Sequence, residues 1–244
     1  MMMLRVSLIA CVATALQIDR RGLISVLGAA ATTPVQAVQE AVEVYFGVGC
    51  FWHVQHEFAM AEKRLLGRGD DQLTARAGYA GGSGGDLVCY HNFQRVADYG
   101  KLGHGEVVSV RLPPDAVPAF AREYAKLFDD RGDRPDKLDR GSEYRSLMGL
   151  PGGMDSPLFQ EASDVLLNKG MRLKAGTGND PDTLGKRLIW VYDTAAFPFH
   201  QAEVYHQFHD GFMLGEDYPR AYNDLAMAYY ERGLLEGTGC PDIV

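Results

Sequence analysis

Positive charge and long apolar runs are both in short supply in this sequence. Its 244 residues carry 24 lysines and arginines against 32 acidic residues, a net charge of −8, which argues against nucleic acid and anionic membrane surfaces as partners. The apolar runs are too short to span a bilayer, so we expect no stable membrane insertion of the mature chain. No internal repeat and no break in composition marks a second folded domain.

The glycine-rich stretch 80–86 is not followed by a Lys-Ser/Thr pair, which a phosphate-binding P-loop requires. We therefore interpret this stretch as a flexible surface loop. The overall composition, with 46% hydrophobic and 23% charged residues, is ordinary for a globular protein with one core.

Residues 1–38 have the composition of a targeting segment, with few charges among apolar and small residues. Two export-like units follow one another: 3–15, and a second that opens with Arg20-Arg21 and closes at Val35-Gln36-Ala37. The paired arginines are typical of a twin-arginine export signal. The tandem arrangement predicts an exported or organellar protein, with the thylakoid lumen of a plastid favoured and the bacterial periplasm as the alternative.

Downstream of this segment, strand-like and helix-like periodicities alternate, which predicts a mixed α/β or α+β layer structure. The predicted strands are 42–48, 73–79, 106–112, 143–150 and 187–192, and the predicted helices are 51–66, 114–128, 158–167, 203–211 and 218–235. We expect a folded domain over 41–236, followed by a mobile tail, 237–244, that carries Cys240.

The stretch Gly49-Cys50-Phe51-Trp52 lies between the first predicted strand and the first predicted helix. A cysteine at the first turn of a helix meets partial positive charge and unpaired N–H groups, which favour the thiolate. We therefore predict that Cys50 is a nucleophile; the alternative is a small buried residue that ends the strand. Phe51 and Trp52 would form an apolar wall for a small methyl-bearing ligand.

The sequence has four cysteines, and Cys11 would be lost with the targeting segment, which leaves Cys50, Cys89 and Cys240. An odd number in an exported protein argues against a simple structural disulfide framework. Cys240 lies between Gly239 and Pro241 near the C-terminus. A mobile thiol together with a reactive thiol is what a redox cycle requires, although Cys240 as an incidental tail residue is the alternative.

Five strings resemble, in order, the signatures of the peptide methionine sulfoxide reductase A family. They are Gly-Cys-Phe-Trp at 49–52, Ala-Gly-Tyr-Ala-Gly-Gly at 77–82, Gly-His-Gly-Glu at 103–106, Asp-Arg-Gly-Ser-Glu-Tyr-Arg-Ser at 139–146, and Phe-His-Gln-Ala-Glu-Val-Tyr-His-Gln-Phe at 199–208. The resemblance covers roughly 42–208. It implies a two-layer α/β sandwich around a mixed sheet with long coil extensions. It also implies a monomer that reduces methionine S-sulfoxide, free or in proteins, without a metal or organic cofactor, and that a thioredoxin-like protein recycles.

Sulfoxide reduction needs a nucleophile that attacks sulfur and a proton for the departing oxygen. Cys50 would supply the sulfur nucleophile. Glu106 would supply the proton if an apolar, partly buried site keeps it protonated; the alternative for Glu106 is a solvent-exposed carboxylate at a strand end. Phe51 and Trp52 would hold the S-methyl group of the substrate.

The resemblance assigns further roles to polar residues. Tyr144 matches a family tyrosine that would hydrogen-bond the sulfoxide oxygen, and Asp139 matches an aspartate that helps to position the site. The second family tyrosine is harder to place, because the sequence before Glu106 is longer here than in the family pattern. Tyr90 is our choice and Tyr99 the alternative.

Attack by Cys50 would leave a sulfenic acid, which a second thiol converts to a disulfide. Cys240 is the predicted resolving cysteine because the family's resolving cysteines lie in glycine-rich tails, and Cys89 is the alternative. Gln55 departs from the Glu that many members carry after the nucleophile, at a position we expect to lie outside the chemistry.

The histidines do not form a standard metal site, because no cysteine or carboxylate pattern accompanies them. We expect them to pack or hydrogen-bond around the site; they are His53, His56, His200, His206 and His209.

Two other functions remain open. A thiol peroxidase predicts an Arg or Thr close to Cys50, and neither follows it in the sequence. A module that binds oxidised methionine without turnover is favoured only if Glu106 or the resolving cysteine fails to reach Cys50.

Overall fold

The computed structural model describes residues 40–134, 137–210 and 218–241. The predicted targeting segment 1–38 and the last residues of the tail lie outside the described residues. Residues 39–244 form one compact unit. Within the part of the chain that the structure describes, no helix combines the length and the apolar character needed to cross a membrane.

The described chain contains one mixed sheet and four α-helices. The strands are β1 Val42–Gly47, β2 Arg76–Ala80, β3 Gly105–Leu112, β4 Leu147–Leu150, β5 Arg172–Ala175, β6 Leu188–Asp193 and β7 His200–Gln201. The helices are α1 Phe51–Leu66, α2 Val117–Lys126, α3 Phe159–Asn168 and α4 Arg220–Glu231.

The seven strands are arranged in the order β5-β6-β4-β1-β3-β2-β7. β1 is antiparallel to β3 and to β4, and β2 is antiparallel to β3 and to β7. β6 runs parallel to both β4 and β5. The sheet is therefore mixed, as predicted.

Side-chain alternation along the strands sends two sets of apolar residues to opposite faces of the sheet. On one face, Phe46 and Val108 pack with buried side chains of α1, α2 and α3 in the main core. On the other face, Tyr45 and Val107 belong to a smaller cluster that the coil residues Phe197 and Phe199 help to cover. The result is the predicted two-layer sandwich, with helices on one face and coil on the other.

Helix α1 is the element that connects this core to the candidate site. Its apolar side is fully buried, and the Phe58 ring lies 5.0 Å from the Phe46 ring of β1. The helix ends at Gly67, whose left-handed backbone (φ 65) lets its N–H bond to the Glu62 carbonyl. This packing fixes the N-terminus of α1 against the sheet.

Two predicted elements are wrong in part. The strand predicted over 143–150 exists only as β4, because 142–144 form a 3₁₀ turn. The helix predicted over 203–211 is a single 3₁₀ turn, Val204–His206. There the Gln207 amide bonds to both backbone groups of Ala77, and the Phe208 N–H donates to Gln55. These long-range hydrogen bonds replace the helical ones.

Strands β5 and β7 were not predicted from the sequence. β5 is mostly exposed and β7 has only two residues. The sequence of β5, Arg-Leu-Lys-Ala, alternates charged and apolar residues over only four positions, and two residues of β7 are too few to show a period.

Candidate active site

Cys50 lies at the junction of β1 and α1, where the chain turns sharply. Gly49 has a left-handed backbone (φ +73), and a Cβ there would lie 2.8 Å from Cδ of Arg134. The Gly49 N–H donates to the Tyr144 carbonyl over 3.2 Å. The turn therefore needs glycine, and it brings the 3₁₀ turn at 142–144 next to Cys50.

Glu106 enters the site from β3 and contacts the N-terminus of α1. Its Oε2 accepts the Phe51 N–H over 2.9 Å, and its Oε1 accepts the Tyr99 hydroxyl over 3.1 Å. The side chain is buried, with only 2% of its surface exposed. Phe51 directly follows Cys50, so this carboxyl group is adjacent to the predicted nucleophile.

Burial raises the pKa of Glu106 to about 8. The neighbouring Asp139 and Glu143 carboxylates raise it further, whereas the two hydrogen bonds lower it. Desolvation disfavours the charged form more than the hydrogen bonds favour it. Glu106 is therefore largely protonated at neutral pH and can donate a proton.

The prediction that the resting Cys50 favours the thiolate is wrong. Burial raises its pKa well above the usual value, and the Glu106 carboxylate adds to this effect. The backbone N–H groups of Trp52 and His53 lower the pKa, as expected at a helix N-terminus, but they do not outweigh burial. Cys50 is free and rests as a thiol.

The structure brings both candidate tyrosines, Tyr90 and Tyr99, into the site. Tyr99 is fully buried and bonds to Glu106, while Tyr90 is partly exposed and stacks on Tyr99 with ring centroids 5.7 Å apart. Burial, followed by the charges of Glu106 and Cys50, raises the pKa of Tyr90. The two tyrosines therefore occupy different places: Tyr99 behind the acid, and Tyr90 towards solvent.

A closed loop brings Tyr90 and Tyr99, which are nine positions apart in the sequence, next to each other. Cys89 and Asp98 form an isolated bridge, and the Tyr99 N–H donates to the Cys89 carbonyl over 2.8 Å. The loop therefore places Tyr90 next to Tyr99 beside the acid.

Tyr144 and Asp139 interact electrostatically with Glu106. Burial, then the charges of Glu106 and Asp139, raises the pKa of Tyr144, whose side chain also interacts with Tyr99. The Asp139 carboxylate also raises the pKa of Glu106 and that of Tyr90. The polar residues predicted from the sequence thus act on one another electrostatically.

Arg134 is a residue that the sequence analysis missed. It is buried, it forms an ion pair with Asp182 over 3.1 Å, and its guanidinium donates to the Asp139 carbonyl. Asp182 in turn accepts the Gly141 N–H over 3.0 Å. This arrangement holds the segment 139–141 beside Gly49. Arg134 lies among many other charged residues in the sequence, so nothing there distinguishes it.

Phe51 and Trp52, the predicted apolar wall, pack against a group of aromatic and histidine rings. The Trp52 indole donates to Nδ1 of His206 over 3.2 Å, and its ring stacks on His209 at 3.9 Å. The rings of Phe51 and Tyr90 lie 5.2 and 4.3 Å from His206. Burial lowers the pKa of His206 to about 3, so this ring is neutral. The histidine pair thus orients Trp52.

Three bacterial proteins named peptide methionine sulfoxide reductase MsrA align with this chain. The one from Vibrio vulnificus is 27% identical over 175 residues, which are 70% of this chain and 71% of that protein. The one from Geobacter metallireducens is 28% identical over 170 residues, 69% of this chain and 89% of that protein. The one from Vibrio cholerae is 30% identical over 137 residues, 54% of this chain and only 56% of that protein. By sequence, this chain is similar to the peptide methionine sulfoxide reductase A family.

No protein-family model matches the sequence. Among solved structures, methionine sulfoxide reductase A of Corynebacterium diphtheriae aligns at 20% identity with a TM-score of 0.43, covering 76% of this chain and 85% of that one. The similarity to the reductase A family follows from the sequence relatives.

The two candidate resolving cysteines are bonded to each other. Cys89 and Cys240, 151 positions apart in the sequence, form a disulfide with Cα atoms 5.6 Å apart. The tail predicted to be mobile is therefore tethered as far as it is described, and Leu235 before it is buried. In addition, the Gln201 side chain donates to the Glu236 carbonyl over 2.9 Å.

A second residue that the sequence analysis missed is Glu203. Its Oε1 accepts the Tyr90 N–H over 2.8 Å, and its Oε2 accepts the Tyr79 hydroxyl over 2.9 Å. Glu203 thereby fixes the backbone of Tyr90, next to the disulfide. It lies in the last of the five family strings, and that position was the only signal available in the sequence.

Proposed function

We propose that this chain reduces methionine S-sulfoxide, free or in proteins, to methionine. The observation that carries the proposal is a buried, protonated Glu106 at the N-terminus of α1, beside the free thiol of Cys50. This pairing supplies the nucleophile and the proton that the reaction needs.

The proposed reaction balances within the site. Cys50 sulfur attacks the sulfoxide sulfur while Glu106 gives its proton to the sulfoxide oxygen. The attack forms a bond between the Cys50 sulfur and the substrate sulfur. The hydroxyl group then moves from the substrate sulfur to the Cys50 sulfur: the O–S bond to Cys50 forms, the S–O bond of the substrate and the new S–S bond break, methionine leaves, and Cys50 is left as a sulfenic acid. The proton lost by the Cys50 thiol restores Glu106.

The other site residues orient the substrate in this proposal. The hydroxyls of Tyr144 and Tyr90 bond to the sulfoxide oxygen and stabilise the charge that develops there. Asp139 acts indirectly, since its charge keeps the pKa of Glu106 high. Phe51 and Trp52 contact the S-methyl group.

Recycling requires a second thiol and an external reductant. In the reduced protein Cys240 attacks the sulfenic acid of Cys50, which gives a disulfide and water. Cys89 is the alternative resolving residue. A thioredoxin-like protein then supplies the two electrons that return the enzyme to its starting state.

A thiol peroxidase would need a free arginine at the nucleophile. Arg134 lies against Gly49, but its guanidinium is engaged by Asp182 and by the Asp139 carbonyl. These contacts argue against a thiol peroxidase, and the test below checks this by including hydrogen peroxide as a competing substrate.

The test measures turnover of the separated S and R epimers of methionine sulfoxide, and of hydrogen peroxide, with dithiothreitol as reductant. We expect the S epimer to be reduced, and Cys50→Ser to lose about a thousandfold or more of that activity. Leu167→Glu, an exposed change on α3, serves as the control and should retain full activity. Turnover of neither epimer, or faster turnover of peroxide, would contradict the proposal.

A further inference from the structure

We infer that Cys89 and Cys240, once reduced to thiols, bind a zinc ion together with the carboxylate of Glu203. This metal site is separate from Cys50 and uses none of the histidines. Zinc binding goes beyond the proposed function, because it does not require sulfoxide reduction. It gives the cysteine pair a third chemical state, a metal-bound dithiolate, in addition to the disulfide and the free dithiol.

Three potential metal ligands converge beside the C-terminal tail. The Sγ atoms of Cys89 and Cys240 and a carboxylate oxygen of Glu203 all lie within 4.8 Å of one another. No other group of three cysteine, histidine or acidic side chains in the described part of the chain lies this close together. Reduction of the disulfide by a dithiol or a phosphine, which gives up two electrons, frees both sulfurs. Two thiolates and a carboxylate are ligands that zinc accepts in proteins.

Contacts other than the disulfide keep the two cysteine backbones near each other. The Cys89 N–H donates to the Ala97 carbonyl, and the Cys89 carbonyl accepts the Tyr99 N–H, each over 2.8 Å. On the tail, the Gln201 side chain donates to the carbonyl of Glu236, four residues before the second cysteine, over 2.9 Å. The sulfurs themselves then need to separate to about 3.8 Å, so that each lies about 2.3 Å from a tetrahedral zinc ion.

The Glu203 carboxylate is held in place by hydrogen bonds. Its Oε2 accepts the Tyr79 hydroxyl over 2.9 Å, and its Oε1 accepts the Tyr90 N–H over 2.8 Å. Carboxylates that bind metals are themselves hydrogen-bonded in this way, and the bonds leave lone pairs for the ion. The fixed negative charge of Glu203 opposes the formation of two thiolates nearby, and a divalent cation removes that repulsion.

A cavity gives a metal ion access to the three ligands. Glu203 and Cys240 are half-buried and line a cavity of about 770 Å³, whereas Cys89 is fully buried behind them. A hydrated ion can therefore enter from the cavity and keep one water molecule as its fourth ligand. The resulting site would be tetrahedral, with two sulfur and two oxygen ligands.

Zinc binding at this site releases protons and transfers no electrons. Each thiol loses its proton to water as its sulfur bonds to the ion, so one zinc ion displaces two protons. The affinity should therefore rise with pH, by up to about a hundredfold per pH unit while both thiols are protonated. While zinc is bound, neither Cys89 nor Cys240 is free to form a disulfide with Cys50. Zinc would thus reversibly block the proposed recycling step.

The first experiment compares metal binding by the reduced and the disulfide forms of Cys50→Ser protein. The reduced form, freed of reductant without oxygen, is titrated with Co²⁺ and then with Zn²⁺. We expect one ion per chain, a thiolate-to-cobalt charge-transfer absorption that Zn²⁺ abolishes, and the release of two protons per ion. The disulfide form should show no such absorption. No absorption in the reduced form, or the same absorption in both forms, would overturn the inference. Because Cys50 is absent, the result is independent of sulfoxide reduction.

A second experiment tests Glu203 as the third ligand. We expect Glu203→Gln to weaken zinc binding by the reduced protein by about tenfold or more, because a charged ligand is lost. Glu236→Gln is the matched control: it removes the same charge from the tail, outside the group of three ligands, and should change the dissociation constant less than about threefold. Equal dissociation constants in the two variants would contradict the assignment of Glu203.

X-ray absorption at the zinc edge tests the same ligand set without any change at Glu203. We expect two sulfur ligands at about 2.3 Å and two oxygen ligands at about 2.0–2.2 Å in the zinc-loaded Cys50→Ser protein. Three or more sulfur ligands would show that the ion bridges two chains, and a nitrogen ligand would show that a histidine replaces Glu203. Either result would overturn the proposed site.

Discussion

At the level of single residues, the proposed activity depends on the protonation of one buried carboxyl group. Glu106 acts as an acid only while it holds its proton, and its pKa is raised to about 8 by burial. The protonated form is therefore dominant below that value and is lost as the pH rises through it. The rate of methionine formation should therefore decrease over the same pH range.

We predict that single-turnover methionine formation by the reduced protein is constant from about pH 6 to 7 and falls through about pH 8. Glu106→Gln should lose about 10²- to 10⁴-fold at all pH values, because an amide cannot donate the proton in the same way. The measurement is the rate of methionine release in rapid-quench experiments. A Glu106→Gln variant that regains activity at low pH would contradict this role.

Tyr99→Phe tests the hydrogen bond behind the acid. The Tyr99 hydroxyl lowers the pKa of Glu106, so its removal should raise that pKa and move the alkaline fall of the rate to higher pH. Tyr90→Phe is the comparison, since no bond from its hydroxyl to Glu106 is among the described contacts. If the rate of Tyr99→Phe falls at the same alkaline pH as that of the unmodified protein, this hydrogen bond does not change the pKa of Glu106.

At the level of elements, the turn between β1 and α1 decides where the nucleophile lies. Gly49 and Gly67 flank the two ends of α1, and both have left-handed backbones, φ +73 and φ +65. Only Gly49 is crowded, by the side chain of Arg134, whereas nothing lies within 4 Å of a Cβ at Gly67. Alanine at Gly67 therefore introduces backbone strain alone, whereas alanine at Gly49 introduces the same strain and also displaces the Arg134 side chain.

We predict that Gly67→Ala costs about 1 kcal/mol of stability, from backbone strain alone, and leaves turnover intact. Gly49→Ala should cost about 2–4 kcal/mol, because the Arg134 side chain and the segment it holds must also shift. It should also lower the rate constant for methionine formation. Urea unfolding together with the kinetic assay provides the comparison, and equal losses in the two variants would show that the contact with Arg134 is not important.

At the level of the whole molecule, the Cys89–Cys240 disulfide joins the C-terminal tail to the loop that presents Tyr90. It closes a loop of 151 positions, and chain entropy sets a ceiling of about 5 kcal/mol on its contribution to stability. Reduction should therefore loosen the tail and destabilise the fold to a measurable extent.

We predict that oxidised Cys50→Ser protein is more stable to urea than the same protein after reduction, by about 2–4 kcal/mol. The double variant Cys50→Ser/Cys89→Ser should match the reduced protein under both conditions. A difference below about 1 kcal/mol would mean that the other tail contacts, including the bond between Gln201 and Glu236, already hold the tail.

Part of the site could be predicted because the signal was local. Cys50, Phe51 and Trp52 are consecutive, and the β1 and α1 periodicities place them at a strand-to-helix junction. Glu106, Tyr144 and Asp139 were found through family strings, and the structure places them around the same point. Tyr99 and Tyr90 could not be assigned separately, because their proximity depends on the bridge between Cys89 and Asp98.

Other features depend on partners that are distant in the sequence. The ion-pair partner of the buried Arg134 is Asp182, 48 positions away. The expected helix at 203–211 is replaced by bonds from Gln207 to Ala77 and from Phe208 to Gln55. No local pattern encodes these pairings. The same holds for the disulfide between Cys89 and Cys240.

The sequence by itself determined the mixed α/β class and the strand-to-helix turn that carries Cys50, and it pointed to Glu106 as the candidate acid, because periodicity and short motifs are local properties. Only the tertiary structure decided the protonation states and the cysteine pairing. The helix N-terminus favours a Cys50 thiolate, but burial opposes it more strongly and raises the pKa. Burial and pairing arise only when distant segments pack together, and these set the charge of Glu106, the resting thiol of Cys50 and the tethered Cys240.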